Sequence, residues 1–514
     1  MTELSPLEQP RPDGSPDDRP NGGSDDAGAQ PSSRVRAFAS ASALAVARIA
    51  RRVANALGAA LAGLTRGAAA AFSRTRDWLR AHRMFATSLV IGLGIETALH
   101  SLHGHPWLER LEDAAMDWTI GLYRGVLPER EGAIPFTVLD IDDATFDSWG
   151  SPPYVLRDRL LRLIESAAAA RPAAIVVDVD LSGPAMGPAD LALAEFLGRY
   201  DGAAAPLILV RSLRTPSGDD SGACFEARPS FVDGAVRDRE SVVFASALFQ
   251  RDPDWSIRRW RLWESLCGGE GPDRVVPSIQ LLVSALLAEP RGTPRQTLAR
   301  IENELRSMPV GATHDDHGEG RHRQLRVGAV ALTLPPSRLN QRIVYRYPAL
   351  TGLRENEIYP LDPRTGVPLL SVVSARPLTD GKPTSSEAFA GRVVVIGGSF
   401  EAGNDLHPTP LGVMPGAVVL VNAIDSLLEH GEVRAPSRAV AYAIVVAQVI
   451  AVAWLFGWFR SIPPAVAACA VLGGLFLPAS VLLFKDGYWL DFGLPFVGIQ
   501  IHRVASRLHE MMGH

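Results

Sequence analysis

Five aspartates in this sequence have the type and spacing for oxygen-ligand chemistry. Asp140 and Asp142 stand two apart in Val138-Leu-Asp-Ile-Asp-Asp143, and Asp178 and Asp180 repeat the interval in Ile175-Val-Val-Asp-Val-Asp180. Residues two apart on a strand share a face. Joined by Asp405 and the hydroxyl of Thr409, they make a candidate ligand-binding set. Carboxylates gathered at one sheet edge can hold a divalent cation or a basic ligand through their oxygens. The competing reading gives the same aspartates to helix caps, loop braces and arginine partners. His314, Asp315, Asp316, His317 and His322 are also metal ligands by type. They fall in a Gly-rich stretch with no scaffold and read as a solvated loop.

The element that must position Asp405 and Thr409 runs from Arg392 to Val433. Val393-Val394-Val395-Ile396 is a continuous β-branched run, which predicts a strand buried on both faces of a covered, largely parallel sheet. Gly397-Gly398 ends it. Asn404-Asp405 and the loop His407-Pro-Thr-Pro410 follow, then Pro415-Gly416 and an apolar helix, Ala417 to His430, stopped by Gly431. In an open α/β sheet, loops at the carboxyl ends of strands bind ligands, so Asp142, Asp178, Asp405 and Thr409 are expected around one cavity.

Upstream, further strands are predicted at Phe136–Ile141, Ala174–Val179, Pro206–Val210 and Arg342–Tyr347, with Val242-Val243-Phe244 as a shorter one. Helices are predicted at Tyr154–Ala170, Asp190–Arg199 and Ser278–Glu289. The alternation gives the fold class, a layered α/β domain with a largely parallel or mixed sheet. Thr215–Pro229 and Gly311–Gln324 are polar, Gly-rich and aperiodic, and read as surface insertions.

The Asp405-x-x-x-Thr409-Pro loop, the Pro415-Gly416 step and the helix carrying Asn422-Ala-Ile-Asp-Ser-Leu-Leu428 resemble the closing segment of the second CHASE family. That family comprises extracellular sensory domains associated with bacterial cyclases and histidine kinases. Other elements fall in its order: Met116-Asp117, Tyr123-Arg124, Trp149-Gly150, Pro152-Pro153-Tyr154, Asp252-Pro-Asp254 with Ile257-Arg258-Arg259, and Val276-Pro277-Ser278. The resemblance covers roughly residues 110–433. The chain departs from the pattern at Trp255, where Gly is preferred, at Leu420, near a usual His, and at Pro152, which replaces a Trp. The resemblance implies a sensory role for the α/β domain.

A length of 514 residues allows two or three domains, and a net charge of −5 argues against a nucleic-acid partner. Residues 1–33 are rich in Pro, Asp, Ser and Gly and read as a disordered cytoplasmic tail without a signal peptide. Residues 34–83 are Ala- and Arg-rich and read as an interfacial or cytoplasmic helix. Residues 84–102 are apolar apart from Glu96, long enough to span, and preceded by Arg74, Arg76, Arg80 and Arg83. This places the N-terminus in the cytoplasm and residues 103–436 outside. Further spans are expected at 439–459, 462–484 and 488–502, the last carrying Asp491, followed by a cytoplasmic tail at 503–514 with no output domain.

Cys224 and Cys267 lie in the external part, where a bridge can form, and Cys469 reads as packing inside a span. No phosphate-binding loop, kinase motif or cyclase metal pair is present, and no cofactor is implied. The first expectation is a multi-pass inner-membrane sensor, not an enzyme, that binds a small molecule or peptide outside and acts through a separate signalling partner, with the receptor as a homodimer. The second is a structural scaffold subunit. The third is an extracytoplasmic metal-dependent hydrolase using Asp142, Asp178 and Asp405, for which no nucleophile–base pair is evident.

Overall fold

The computed structural model describes residues 105–126, 133–200, 205–216, 224–267, 274–289, 292–305, 323–327, 330–334, 336–348, 359–382, 385–437, 477–485 and 487–490, with isolated positions at 90–97 and 439–474. The tail at 1–33, the Arg-rich segment at 34–83 and nearly all of the expected spans lie outside the described residues. Among the described residues, no helix is long and apolar enough to cross a membrane.

The described chain opens with helix α1 (Pro106–Val126), then β1 (Phe136–Ile141), α2 (Asp143–Ser148), α3 (Arg157–Ala169), β2 (Ala174–Val177), α4 (Pro188–Gly198) and β3 (Leu207–Val210). A small antiparallel pair, β4 (Leu213–Arg214) and β5 (Glu226–Ala227), precedes the short helix α5 (Asp233–Val236) and β6 (Val242–Ala245). Two hairpins follow, β7 (Phe249–Arg251) with β8 (Ile257–Trp260), and β9 (Trp263–Leu266) with β10 (Arg274–Pro277). Helices α6 (Ile279–Ala288) and α7 (Pro294–Leu305) lead to a hairpin of β11 (Arg323–Val327) and β12 (Val330–Leu334). The chain then returns to the sheet through β13 (Leu370–Ser374), α8 (Arg376–Thr379) and β14 (Val393–Gly398). The hairpin β15 (Leu406–Thr409) and β16 (Gly412–Pro415), helix α9 (Gly416–Glu429) and helix α10 (Leu477–Lys485) complete it.

Six strands form one sheet in the order β13-β1-β14-β2-β3-β6, and every neighbouring pair is parallel. Parallel strands need both faces covered, and the sequence supplies the cover by alternation. Phe136, Val138, Val393, Val395, Ala174 and Val176 point to one face, where α6, α9 and Met116 and Ile120 of α1 close over them. Leu139, Ile141, Val394, Ile396, Ile175 and Val177 point to the other. There Leu160, Leu163, Ile164 and Ala167 give α3 one apolar stripe, joined by Leu193 and Leu197 of α4. Helix α9 is apolar almost all round because it is buried from Gly416 to Leu427.

The predicted strand Arg342–Tyr347 is not a strand. Only Arg342 makes a bridge, to Arg259; Ile343 N donates to Arg258 O at 2.9 Å, and beyond it the backbone is received by helix side chains. Val344 N donates to Ser426 Oγ at 2.9 Å, while Arg346 N and Tyr347 N both donate to Asn422 Oδ1 at 2.8 Å. The β-rich composition is real, but these buried N–H groups are satisfied by the Asn-Ala-Ile-Asp-Ser motif of α9 and not by a sheet neighbour. The run Ala174–Val179 ends as a strand at Val177, and the expected loop His407–Pro410 is largely the first strand of the β15–β16 hairpin.

Cys224 and Cys267 form a disulfide with their Cα atoms 5.2 Å apart. At the end of α9 the chain meets its own later segment. Arg434 N donates to Gly487 O at 2.8 Å, and Trp489 N donates to Arg434 O at 2.9 Å. Phe484 of α10 packs edge-on against Trp489, and both join the core cluster that holds Val433.

Candidate functional site

The carboxyl edge of the sheet carries the site residues because three strands end there in register. Asp140 of β1 pairs with Gly397 of β14, and Asp178 N, just past β2, donates to Ile396 O at 2.8 Å. Asp140, Gly397 and Asp178 therefore form a row across the sheet. By alternation both aspartates lie on the face that α9 covers. Glycine is required between them, because a Cβ on Gly397 would stand 2.7 Å from the Ala417 Cβ of α9. The first turn of α9 thus rests on Gly397 with an acid to either side. Asp405, which leads into β15, lays its carboxylate over Gly416, and a side chain at Gly416 would collide with it. Gly416 N in turn donates to Asp405 O at 2.9 Å.

The acids differ in how they are satisfied. Asp140 is buried and accepts from Ser399 N at 3.0 Å and from Ser399 Oγ at 2.6 Å. Burial pushes its carboxyl up to about 6 against those two bonds, with Asp142 and Asp143 adding repulsion. Asp405 Oδ1 meets His407 Nε2 at 2.9 Å. The carboxylate of Asp178 has no hydrogen-bond or ion-pair partner among the described residues. The residue is half-buried and keeps an opening to solvent, but the protein around its carboxylate raises its proton affinity. Desolvation first and the charge of Asp405 second push it up to about 7, opposed only by His407.

The remaining predicted site residues are placed elsewhere in function. Asp142 is the N-cap of α2, with Oδ1 accepting from Thr145 N at 2.7 Å and Thr145 Oγ1 at 2.6 Å. Exposed Asp180 braces a loop, accepting from Ser182 N at 2.9 Å and Ser212 Oγ at 2.8 Å, with Arg228 3.4 Å away. Thr409 is buried in its hairpin and donates to Gly412 O at 2.6 Å. The structure therefore brings Asp178 near Asp405, sets Asp140 on the same sheet edge beyond Gly397, and places Asp142, Asp180 and Thr409 in other roles. No group of three His, Cys, Asp or Glu side chains able to hold a metal ion occurs among the described residues.

Sequence reading missed His407 and Ser399 as site residues. The signal for His407 was present, since it follows Asp405 by two and shares its face. Ser399 sits one residue past the Gly397-Gly398 strand end and offered no pattern of its own.

A second acidic cluster, also missed as a unit, lies where α1 meets the β7–β8 hairpin. Asp113 and Asp117 are four apart on α1 and face Arg258, Arg259 and Arg342. Arg342, fully buried, bonds Asp113 Oδ1 at 2.7 Å and also reaches Asp117. Arg259 bonds Asp252 Oδ1 at 2.6 Å and reaches Asp113. Arg258 bonds Asp117 at 2.9 Å, Asp252 at 3.1 Å and Asp254 at 2.7 Å. The motif pieces Asp117, Asp252, Asp254, Arg258 and Arg259 are thus one network.

The frame is a six-stranded parallel sheet covered by helices, with Asp140, Asp178 and Asp405 at its carboxyl edge. The profile of the CHASE2 domain matches residues 87–461. The chain belongs to the CHASE2 family of sensory domains. No curated protein and no solved structure matches it.

Proposed function

We propose that this chain is the extracytoplasmic sensor subunit of a membrane signalling system, with the ligand bound at the carboxyl edge of the sheet beside Asp178, Asp405 and His407. The observation that carries the reading is Asp178, a half-buried carboxylate without a hydrogen-bond or ion-pair partner among the described residues, whose proton affinity is raised. Such a group costs stability, and perturbed groups of this kind concentrate at functional sites.

Two features support an external, membrane-anchored domain. Disulfides such as Cys224–Cys267 persist in oxidising compartments. The contact of Arg434 with Gly487 and Trp489 puts the chain before the expected spans at 439–459 and 462–484 beside the chain after them. Two crossings return a chain to the side it left, so the contact agrees with that topology. Binding is favoured over hydrolysis because Asp142 is occupied as a helix cap and Ser399 is held by Asp140, with no hydrogen bond joining the Ser399–Asp140 and His407–Asp405 pairs. Output then passes to a separate protein, engaged through residues 34–83 or the C-terminal helices, with the receptor as a homodimer.

Protease added to intact spheroplasts should cleave between residues 104 and 436 while tags at both termini stay protected. Crosslinking in native membranes should recover one recurrent partner that is lost when residues 34–73 are deleted. An accessible C-terminal tag, or a chain crosslinked only to itself with a silent deletion, rejects the reading.

A further inference from the structure

Helix α1 turns an apolar face outward, where a helix facing water carries polar and charged side chains. Its exposed residues from Trp107 to Gly121 are Trp107, Arg110, Ala114, Trp118 and Gly121, and only Arg110 is charged. The two indoles are 44% and 54% exposed, too much for side chains that belong to the core of their own copy. The other sides of the helix are occupied. Leu108, Met116, Thr119 and Ile120 are buried, and Asp113 and Asp117 hold the arginine network. Gly121 is the second anomaly on this face. Glycine inside a helix is destabilising relative to alanine, yet a Cβ built at Gly121 meets nothing within 4 Å.

We infer that this face docks a second copy of the chain, with the two α1 helices side by side and parallel through Trp107, Leu111, Ala114, Trp118 and Gly121. These positions follow one another at intervals of four, three, four and three residues, the repeat of a seam between two helices. The stripe also fits itself. In a parallel pair the ring of Trp118 enters the space that Ala114 and Gly121 leave on the facing helix. A surface that carries both the large side chain and the gap receiving it satisfies a two-fold interface, where the same patch meets itself. A lipid surface gives no reason for the glycine, whereas the close approach of a second helix does.

The inference deepens the homodimer proposed above and rests on that reading for the direction of the helices. Under anchoring through residues 84–102, only residues 103–105 separate the span from α1. Both copies then leave the bilayer on the same side and enter α1 in the same direction.

The test is cysteine crosslinking of the full-length chain in native membranes, with Cys469 replaced by Ser and the Cys224–Cys267 bridge intact. Under mild oxidation, Ala114→Cys and Gly121→Cys should each give a linked dimer. Met186→Cys, exposed on the loop before α4, should give none. Differently tagged Trp107→Cys and Gly121→Cys chains, expressed together, should not link to each other. In detergent, light scattering should find the wild type and Trp118→Phe as dimers, while Trp118→Glu raises the dimer dissociation constant by about tenfold or more. Gly121→Glu, with open space around it in its own copy, should do the same and keep native circular dichroism. Should the glutamate variants fail to fold, the cysteine variants decide. A wild-type dimer without a link at position 114 or 121 overturns the seam and leaves the homodimer standing. A monomeric wild type without links overturns both, and α1 is then covered by lipid or by another protein. A link between positions 107 and 121 overturns the parallel pairing and, with it, the shared direction of entry.

Discussion

The two acidic clusters of this domain are built from the same residue and differ in what faces them. Between α1 and the β7–β8 hairpin, Asp113, Asp117, Asp252 and Asp254 meet the guanidinium groups of Arg258, Arg259 and Arg342. At the carboxyl edge of the sheet, Asp140, Asp178 and Asp405 meet a serine, nothing, and a histidine. The proton affinities follow. The Arg258 hydrogen bond holds Asp254 down at about 2, whereas burial beside Asp405 lifts Asp178 to about 7. Aspartates answered by arginines join elements, whereas the half-buried Asp178 is left unanswered among the described residues. The comparison also orders the consequences of mutation.

The largest effect belongs to the paired cluster. Arg342 is fully buried and holds Asp113 and Asp117 of α1 at once, so Arg342→Met leaves two enclosed carboxylates without their shared partner. Breaking a buried pair from one side costs about 3–5 kcal/mol, which chemical denaturation of the full-length chain would register as a large fall in the midpoint. A loss below about 1 kcal/mol would put the network in the class of surface ion pairs and dissolve the contrast.

Next comes the packing that holds the unpaired cluster in place. Gly397→Ala drives a methyl to within 2.7 Å of Ala417 Cβ, on the first turn of α9. Overpacking of this kind costs about 1–3 kcal/mol. Since the displaced turn also carries Gly416 and the Asp405 contact, the variant should lose ligand stabilisation along with the native midpoint. Retention of both at wild-type values would mean that α9 gives way freely at Gly397.

The third effect has the opposite sign. Asp178 is raised from its usual 3.8 to about 7, so between those values the folded chain holds a proton the unfolded chain has released. Stability therefore falls as pH rises through that window, with no penalty below about pH 4 and the full penalty above about pH 7. Asp178→Asn removes the penalty. It should stabilise the apo chain by about 1–3 kcal/mol at about pH 8 and leave it unchanged at about pH 4. Denaturation midpoints at the two pH values check it, and destabilisation at both would show that Asp178 has a bracing partner after all.

Much of the frame was legible in the sequence because burial writes itself as composition. The run Val393–Ile396, the strand Phe136–Ile141 and the apolar helix before Gly431 read directly, since a parallel sheet covered on both faces needs uninterrupted apolar strands. The bridge between Cys224 and Cys267 was possible from the placement of the two cysteines but not decided by it, because the closeness of their Cα atoms is not written in the sequence. The site was legible only in part. Asp140, Asp178 and Asp405 share an edge because their strands run in register, but spacing could not tell Asp140 from Asp142. Thr145, three residues on, makes Asp142 a cap. Arg342–Tyr347 misled for a related reason, because its partners, Asn422 and Ser426, lie about 80 residues away on a helix. The edge strand β13 left weak traces, being short and only partly buried.

The smallest effect tests how the paired cluster is presented. The β7–β8 turn carries Asp252 and Asp254, with Arg258 just beyond it in β8, and it closes through Asp252 N to Ser256 O at 3.0 Å and Trp255 N to Asp252 O at 2.8 Å. That geometry puts Trp255 at φ +66, in the left-handed region, with its indole exposed. A side chain there costs about 1–2 kcal/mol, and glycine avoids the clash but gives back about 0.5–1 kcal/mol in unfolded-chain freedom. Trp255→Gly should therefore stabilise by less than about 1 kcal/mol, whereas Trp255→Ala keeps the strain and should gain nothing. Glycine is also the residue preferred here in the pattern this chain resembles, which the backbone now explains without reference to a ligand. If glycine and alanine both destabilise, the indole packs on something that covers this turn in the assembled protein. The paired cluster would then lie beneath an interface, and the division between a joining cluster and a binding one would have to be redrawn.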